Sequence, residues 1–216
     1  MLTADRPETR LATRLAFLVA GFGVACWAAL VPFAKERLQV DDGILGLLLL
    51  CLGVGSIAAM LLTGILSARY GSRPIILAGG FGLVVLLPLL AIAGSSVLLG
   101  LTLFAFGAAL GSLDVAMNIH GVEVERAALR PLMSGFHALF SVGGFAGATV
   151  ITFLLSLKIA PVAGTMFASV LMAIAMTFAA PRLLRASHSQ KTPLIVAPHG
   201  IVRRHASGLD DAVLLS

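Results

Sequence analysis

Charge is what this sequence has least of. Only 12% of its 216 residues are Asp, Glu, Lys or Arg, about half the share found in a soluble globular domain. With 59% hydrophobic residues and a mean hydropathy of +1.03, the chain cannot keep a folded surface wetted, which excludes an ordinary water-soluble domain. Cysteine is nearly absent. Cys26 and Cys51 both fall inside apolar runs, which excludes a disulfide framework and makes each a small packing residue. No phosphate-cradling glycine loop, metal-ligand cluster or nucleophile–base pair can be found, so an enzyme has no support and neither a metal nor a cofactor is required. The net charge of +5 would suggest nucleic acid in a soluble protein. Here it rests on basic residues between apolar blocks and reads as loop anchoring at a lipid bilayer, with no nucleic-acid role.

What the sequence has is length of apolar run. A bilayer core about 30 Å thick takes about 20 apolar residues as a helix. Six runs suffice: Leu15 to Ala34, Ile44 to Leu66, Pro74 to Ala93, Val97 to Ala116, Leu132 to Ser156 and Ile159 to Ala180. Continuous rather than alternating apolarity selects helices over a barrel. The expectation is therefore an all-α membrane protein of six transmembrane helices. Its first run is long enough to be a span rather than a cleaved signal. The 23 glycines spread through these runs suit close helix packing. The organisation expected is an amino terminus over 1–14, a bundle over 15–185 and a mostly disordered tail over 186–216.

Basic residues set the orientation. Arg6, Arg10, Arg14, Arg69, Arg73, Arg126, Arg130, Arg182 and Arg185 fall on one side, and Lys35, Arg37 and Lys158 on the other. The positive-inside rule places both termini in the cytoplasm of a plasma membrane, a bacterial inner membrane. Gly94–Ser96 makes a tight hairpin between spans three and four, and Met117 to Pro131 reads as a longer inner loop. Three spans invert the orientation of the next three, so the bundle reads as two inverted three-helix repeats.

Several residues are candidates for function. Gly107, Gly111, Asp114 and Asn118 lie on one stripe of span four. An acid there faces a cavity, a partner or the headgroups. Ser134, His137, Ser141 and Gly144 share a face of span five. An Asp114–His137 pair at one depth can carry a proton; the alternative is a histidine hydrogen-bonded within the bundle. Trp27 and Phe33 either line a solute path or pack. Pro88 reads as a kink in span three. Glu123 and Glu125 form a charge cluster with the arginines of the inner loops or a solvated face.

The most specific motif joins spans two and three: Gly64-Ile65-Leu66-Ser67-Ala68-Arg69-Tyr70-Gly71-Ser72-Arg73-Pro74. Gly71 suits a tight turn, and Arg69 and Arg73 sit at the water boundary. The motif resembles the signature loop of the major facilitator superfamily, with Gly64, Leu66, Arg69, Gly71 and Arg73 matching. Ala68 replaces the usual aspartate and Ser72 a usual basic residue. Two further stretches, Ser112 to Gly147 and Val31 to Arg37, are similar to the fucose-permease-like bacterial branch. The resemblance covers about residues 10 to 202. It implies half of a major facilitator fold, a small-molecule solute, alternating access and often proton coupling. It also implies pairing of an acid after span four with the signature arginine, a role open to Glu123 or Glu125. Transporters of this kind carry twelve spans, and this sequence supplies six. A truncated chain, a half-transporter completed by a second copy or by a separate carboxy-terminal half, and a non-transporting six-span remnant or interaction subunit are the alternatives.

Overall fold

Six helices account for nearly all of residues 6–184, the part of the chain that the computed structural model describes. In order they are α1 (Pro7–Leu38), α2 (Asp42–Tyr70), α3 (Ser72–Ile92), α4 (Ser96–Ala128), α5 (Met133–Ser156) and α6 (Pro161–Ala179), closed by a 3-10 turn over Ala180–Arg182. All six are long and apolar enough to cross a bilayer. Residues 186–216, expected as a disordered tail, lie outside the described residues.

Local chemistry sets the helix ends. Pro7 stands in the first turn of α1, where a missing N–H loses nothing. The Asp41 carboxylate accepts from Ile44 N at 2.8 Å and Ser95 Oγ from Leu98 N at 3.2 Å, each an N-cap satisfying an amide with no helical partner. A single residue, Gly71, separates α2 from α3. Its φ of 82° lies in the region that favours glycine. At the opposite end of the bundle Arg37 closes α3, donating to the Leu90 carbonyl at 2.9 Å and to that of Ala91. Its charge there complements the negative end of the helix dipole.

Two boundaries differ from those expected. The helix of the first span begins at Pro7 rather than Leu15, so half of the presumed amino-terminal segment is helical. The presumed inner loop from Met117 to Pro131 is helical as far as Ala128. Loss of apolarity marks where lipid ends, whereas a helix ends where its backbone is broken. Nothing between Met117 and Ala128 breaks it, and the first proline is Pro131. At 33 residues, or about 50 Å, α4 overreaches a bilayer core. The proline positions also matter little to continuity, since α1 runs on through Pro32 and α3 through Pro88.

Packing follows the inverted repeat. The most extensive contacts are α1 on α5 and α2 on α4. Exchanging α1 with α4 and α2 with α5 turns one pair into the other. Both pairs are drawn together by glycine. A Cβ on Gly21 would stand 2.0 Å from the Phe140 carbonyl oxygen, on Gly143 2.2 Å from that of Leu18, and on Gly147 2.4 Å from that of Phe22. In the other pair a Cβ on Gly55 would stand 2.1 Å from the oxygen of Phe104, on Gly107 2.0 Å from that of Leu52, and on Gly111 2.5 Å from that of Ser56. Backbone touches backbone, the approach that small residues allow in membrane bundles. The core lies around α1, where Phe17, Trp27 and Leu30 are buried with Leu83 and Leu87 of α3, Leu103 and Phe106 of α4 and Met172 of α6. By contrast, α2 and α5 keep most of their surface outside.

Candidate functional site

The polar residues of α4 and α5 converge beside α1. One turn apart on α4, Asn118 Nδ2 donates to the backbone oxygen of Asp114 at 2.9 Å and to its carboxylate at 3.3 Å. Both residues are half-buried. On α5, His137 is exposed and meets Phe17 of α1 edge-on, ring centroids 5.2 Å apart. Phe17 also stacks on Phe136 at 5.6 Å, so it supports both consecutive residues. His137 lies within electrostatic range of Asp114. Ser134 and Ser141 flank His137 on the exposed face of α5, the Ser141 hydroxyl donating to the His137 carbonyl at 3.3 Å. The arrangement is an acid with an amide partner, facing a histidine on the next helix, both outside the apolar core. Chemically it can bind a polar solute or pass a proton between carboxylate and imidazole.

The other candidate residues are placed elsewhere. Trp27 is 3% exposed within the core, and Phe33 is exposed near the far end of α1. Cys26 is buried, its thiol 3.6 Å from the Gly147 carbonyl, and Cys51 is a free, half-buried thiol. In the signature loop Gly64, Leu66 and Arg69 are exposed while Gly71 forms the joint. Arg73 donates to the Ala180 carbonyl from Nε at 3.2 Å and from Nη2 at 3.1 Å, which ties the start of α3 to the end of α6.

Of the charge cluster expected around Glu123 and Glu125, the structure keeps Glu123 beside Arg126 and gives Glu125 other partners. The Glu125 carboxylate accepts the amides of Leu132 and Met133 at 2.6 and 2.7 Å, so it caps α5, favourable beside the positive end of that helix. Glu123 is exposed on α4 and interacts with Arg126, one turn on. Among the described residues neither carboxylate pairs with Arg69 or Arg73. The physical reason is the continued α4 helix, which carries Glu125 to the start of α5.

One site was missed by sequence reasoning. His120 is fully buried at the end of the bundle that holds the arginines. Its Nε2 accepts from the Leu184 amide at 3.1 Å. That nitrogen is therefore unprotonated and the ring hydrogen sits on Nδ1, which lies 3.3 Å from Thr13 Oγ1. The Thr13 hydroxyl passes its own hydrogen to the Thr9 carbonyl at 2.8 Å. Helices α1 and α4 and the segment that follows α6 are thus joined by one directed chain of hydrogen bonds. The available signal was spacing, because Leu113, Met117, His120 and Val124 share one face and all are buried. Replacing His120 with phenylalanine leaves the Leu184 amide and the Nδ1-facing hydroxyl without that partner. The expected loss is about 1–3 kcal/mol, read as a lower unfolding midpoint in detergent. The exposed His137→Phe should leave the midpoint unchanged. An unaltered midpoint in His120→Phe would remove this chain from the account of stability.

No family model matches the chain. An uncharacterised MFS-type transporter of Yersinia pestis is 50% identical over 194 residues, covering 89% of this chain and 50% of the relative. An uncharacterised transporter of Sinorhizobium fredii is 38% identical over 132 residues, covering 61% of this chain and 35% of the relative. The chain spans about half the length, or less, of these relatives. Among solved structures the crystal structure of the E. coli fucose:proton symporter superposes with a TM-score of 0.61, at 19% identity, over 84% of this chain and 44% of that one. At that identity the likeness concerns fold: six helices laid out as in half of the symporter.

Proposed function

We propose that this chain, which belongs to the major facilitator superfamily, supplies the amino-terminal six-helix half of a secondary transporter that moves a small polar solute by alternating access. The observation that carries the proposal is the outer face of α5. Ser134, His137, Ser141, Thr149 and Thr152 are all exposed along it. An ionisable side chain such as His137 is costly against hydrocarbon, and it stands in a row of hydroxyls, so the face belongs against a water-filled path or a second bundle. The Asp114–Asn118 pair adds an acid within electrostatic range of His137. The names of the relatives support transport as a class. Coupling to protons is favoured here by Asp114 and His137 themselves, an acid and an imidazole within electrostatic range of one another.

In this reading the end of the bundle with Arg69, Arg73, Arg126, Arg130 and Arg182 faces the cytoplasm of a bacterial inner membrane. A second six-helix half, from a further segment or a second copy, closes over the polar face of α5 and completes the solute path. The test is uptake into proteoliposomes across a panel of neutral and acidic small solutes, with cross-linking through cysteines introduced at exposed Val142 of α5. Accumulation of a solute together with cross-linked pairs is expected. Monomeric protein without uptake of any solute would sink the transporter reading and leave a non-transporting membrane subunit.

A further inference from the structure

The signature loop departs from its usual form at Ala68, where aspartate is the common residue, and the departure has a structural counterpart. Arg69 is exposed at the end of α2, and no carboxylate among the described residues lies within ion-pair distance of it. Its guanidinium instead rests over the ring of Tyr70, 5.2 Å from the centroid. Tyr70 is in turn a wall of a groove of about 400 Å³ that runs between α2 and α3 and is floored by α4. The remaining walls include Leu66, Pro74, Ile75 and Ala109, with Ser112 as a small polar exception. Ile65 and Leu66 beside it are exposed, 69% and 41%, on a helix long enough to cross a bilayer, so that side meets acyl chains.

An apolar groove in contact with a bilayer takes up hydrocarbon whatever the headgroup. What distinguishes this one is its Tyr70 wall, over whose ring rests an arginine without a carboxylate partner, at the level where α2 leaves the apolar run. Arginine matches the geometry of a phosphate oxygen pair, and a basic residue at the membrane surface attracts anionic lipid. We propose that the α2–α3 groove is a binding site for one anionic phospholipid, an acyl chain lying along Leu66, Ile75 and Ala109 and the phosphodiester held by Arg69 and the Tyr70 hydroxyl. The site stands apart from the Asp114–His137 face and does not depend on transport.

The full chain in nanodiscs of equal phosphatidylglycerol and phosphatidylcholine, released into a native mass spectrometer, reports which lipid it retains. Retention of phosphatidylglycerol over phosphatidylcholine by about fivefold is expected, the difference one basic residue makes near an anionic surface. Arg69→Ala should erase the preference and Tyr70→Phe should weaken it, while Arg130→Ala, which removes one charge from the same end of the bundle, should leave it intact. Water-soluble phosphoglycerol should not displace the lipid, because the chain in the groove contributes to binding. Equal retention of both lipids by the unaltered protein, equal losses in Arg69→Ala and Arg130→Ala, or displacement by free phosphoglycerol would each overturn the proposal. So would a dimer that carries no lipid, since a second chain would then occupy the groove.

Discussion

Gly107→Ala should destabilise the bundle by about 1–3 kcal/mol, the usual penalty for forcing an atom into a packed contact. The added methyl would stand 2.0 Å from the Leu52 carbonyl oxygen. That neighbour is backbone and cannot rotate away, so α2 and α4 must separate along their whole interface. Gly55→Ala meets the Phe104 oxygen at 2.1 Å and should behave alike. The double variant should lose less than the two losses added together, because helices already pushed apart leave room for the second methyl. Gly53, two residues from Gly55 on the same helix, has open space around its Cβ position, and Gly53→Ala should leave the unfolding midpoint where it was or raise it slightly. Equal effects of Gly53→Ala and Gly55→Ala would refute close backbone packing as the origin of α2–α4 association.

That contrast also marks where sequence reading stops. The six apolar runs could be read because lipid imposes one composition on every span. Gly71 could be read because a turn with no other residue in it needs a positive φ. The pairing of Asp114 with Asn118 could be read because helical spacing alone brings such residues together. Which glycines lie at a contact could not. Gly46, Gly53 and Gly64 stand in open space while Gly55 sits under a carbonyl, and what separates them is how α2 is rotated against α4, a relation between distant segments. The same holds for His137 against Phe17 and for His120 against Leu184. The role of Glu125 was hidden differently. Its charge suggested an ionic partner, but the nearest groups in need of one were the two uncapped amides at the start of α5.

The second large effect concerns Asp114 and His137. In the proposed transporter, Asp114→Asn should abolish proton-driven uptake, a loss of at least about tenfold, and His137→Ala should do the same. Asn keeps the shape of Asp, and Asn118 still has the backbone oxygen of residue 114, at 2.9 Å, to which it donates. Folding should therefore be unchanged and the loss assigned to charge. The exposed imidazole of His137 meets one ring, that of Phe17, so its removal should also leave the bundle intact. Uptake with an imposed pH gradient, compared with exchange of solute at equal pH on both sides, separates the two roles. A proton-carrying pair loses gradient-driven accumulation and keeps exchange, whereas a solute-binding pair loses both. Unchanged accumulation with an unchanged pH profile would remove both residues from the mechanism.

A joint of one residue has no slack. With only Gly71 between them, the adjoining ends of α2 and α3 cannot shift apart without unwinding a turn of helix. Arg73 extends the linkage by gripping the Ala180 carbonyl at the end of α6. A displacement that begins at α2, one of the two least covered helices, is therefore handed on to α3 and then to α6 as in a train of coupled levers. The α2–α3 loop is a stiff coupling, and its stiffness decides how much of a push on one side of the bundle arrives at the other.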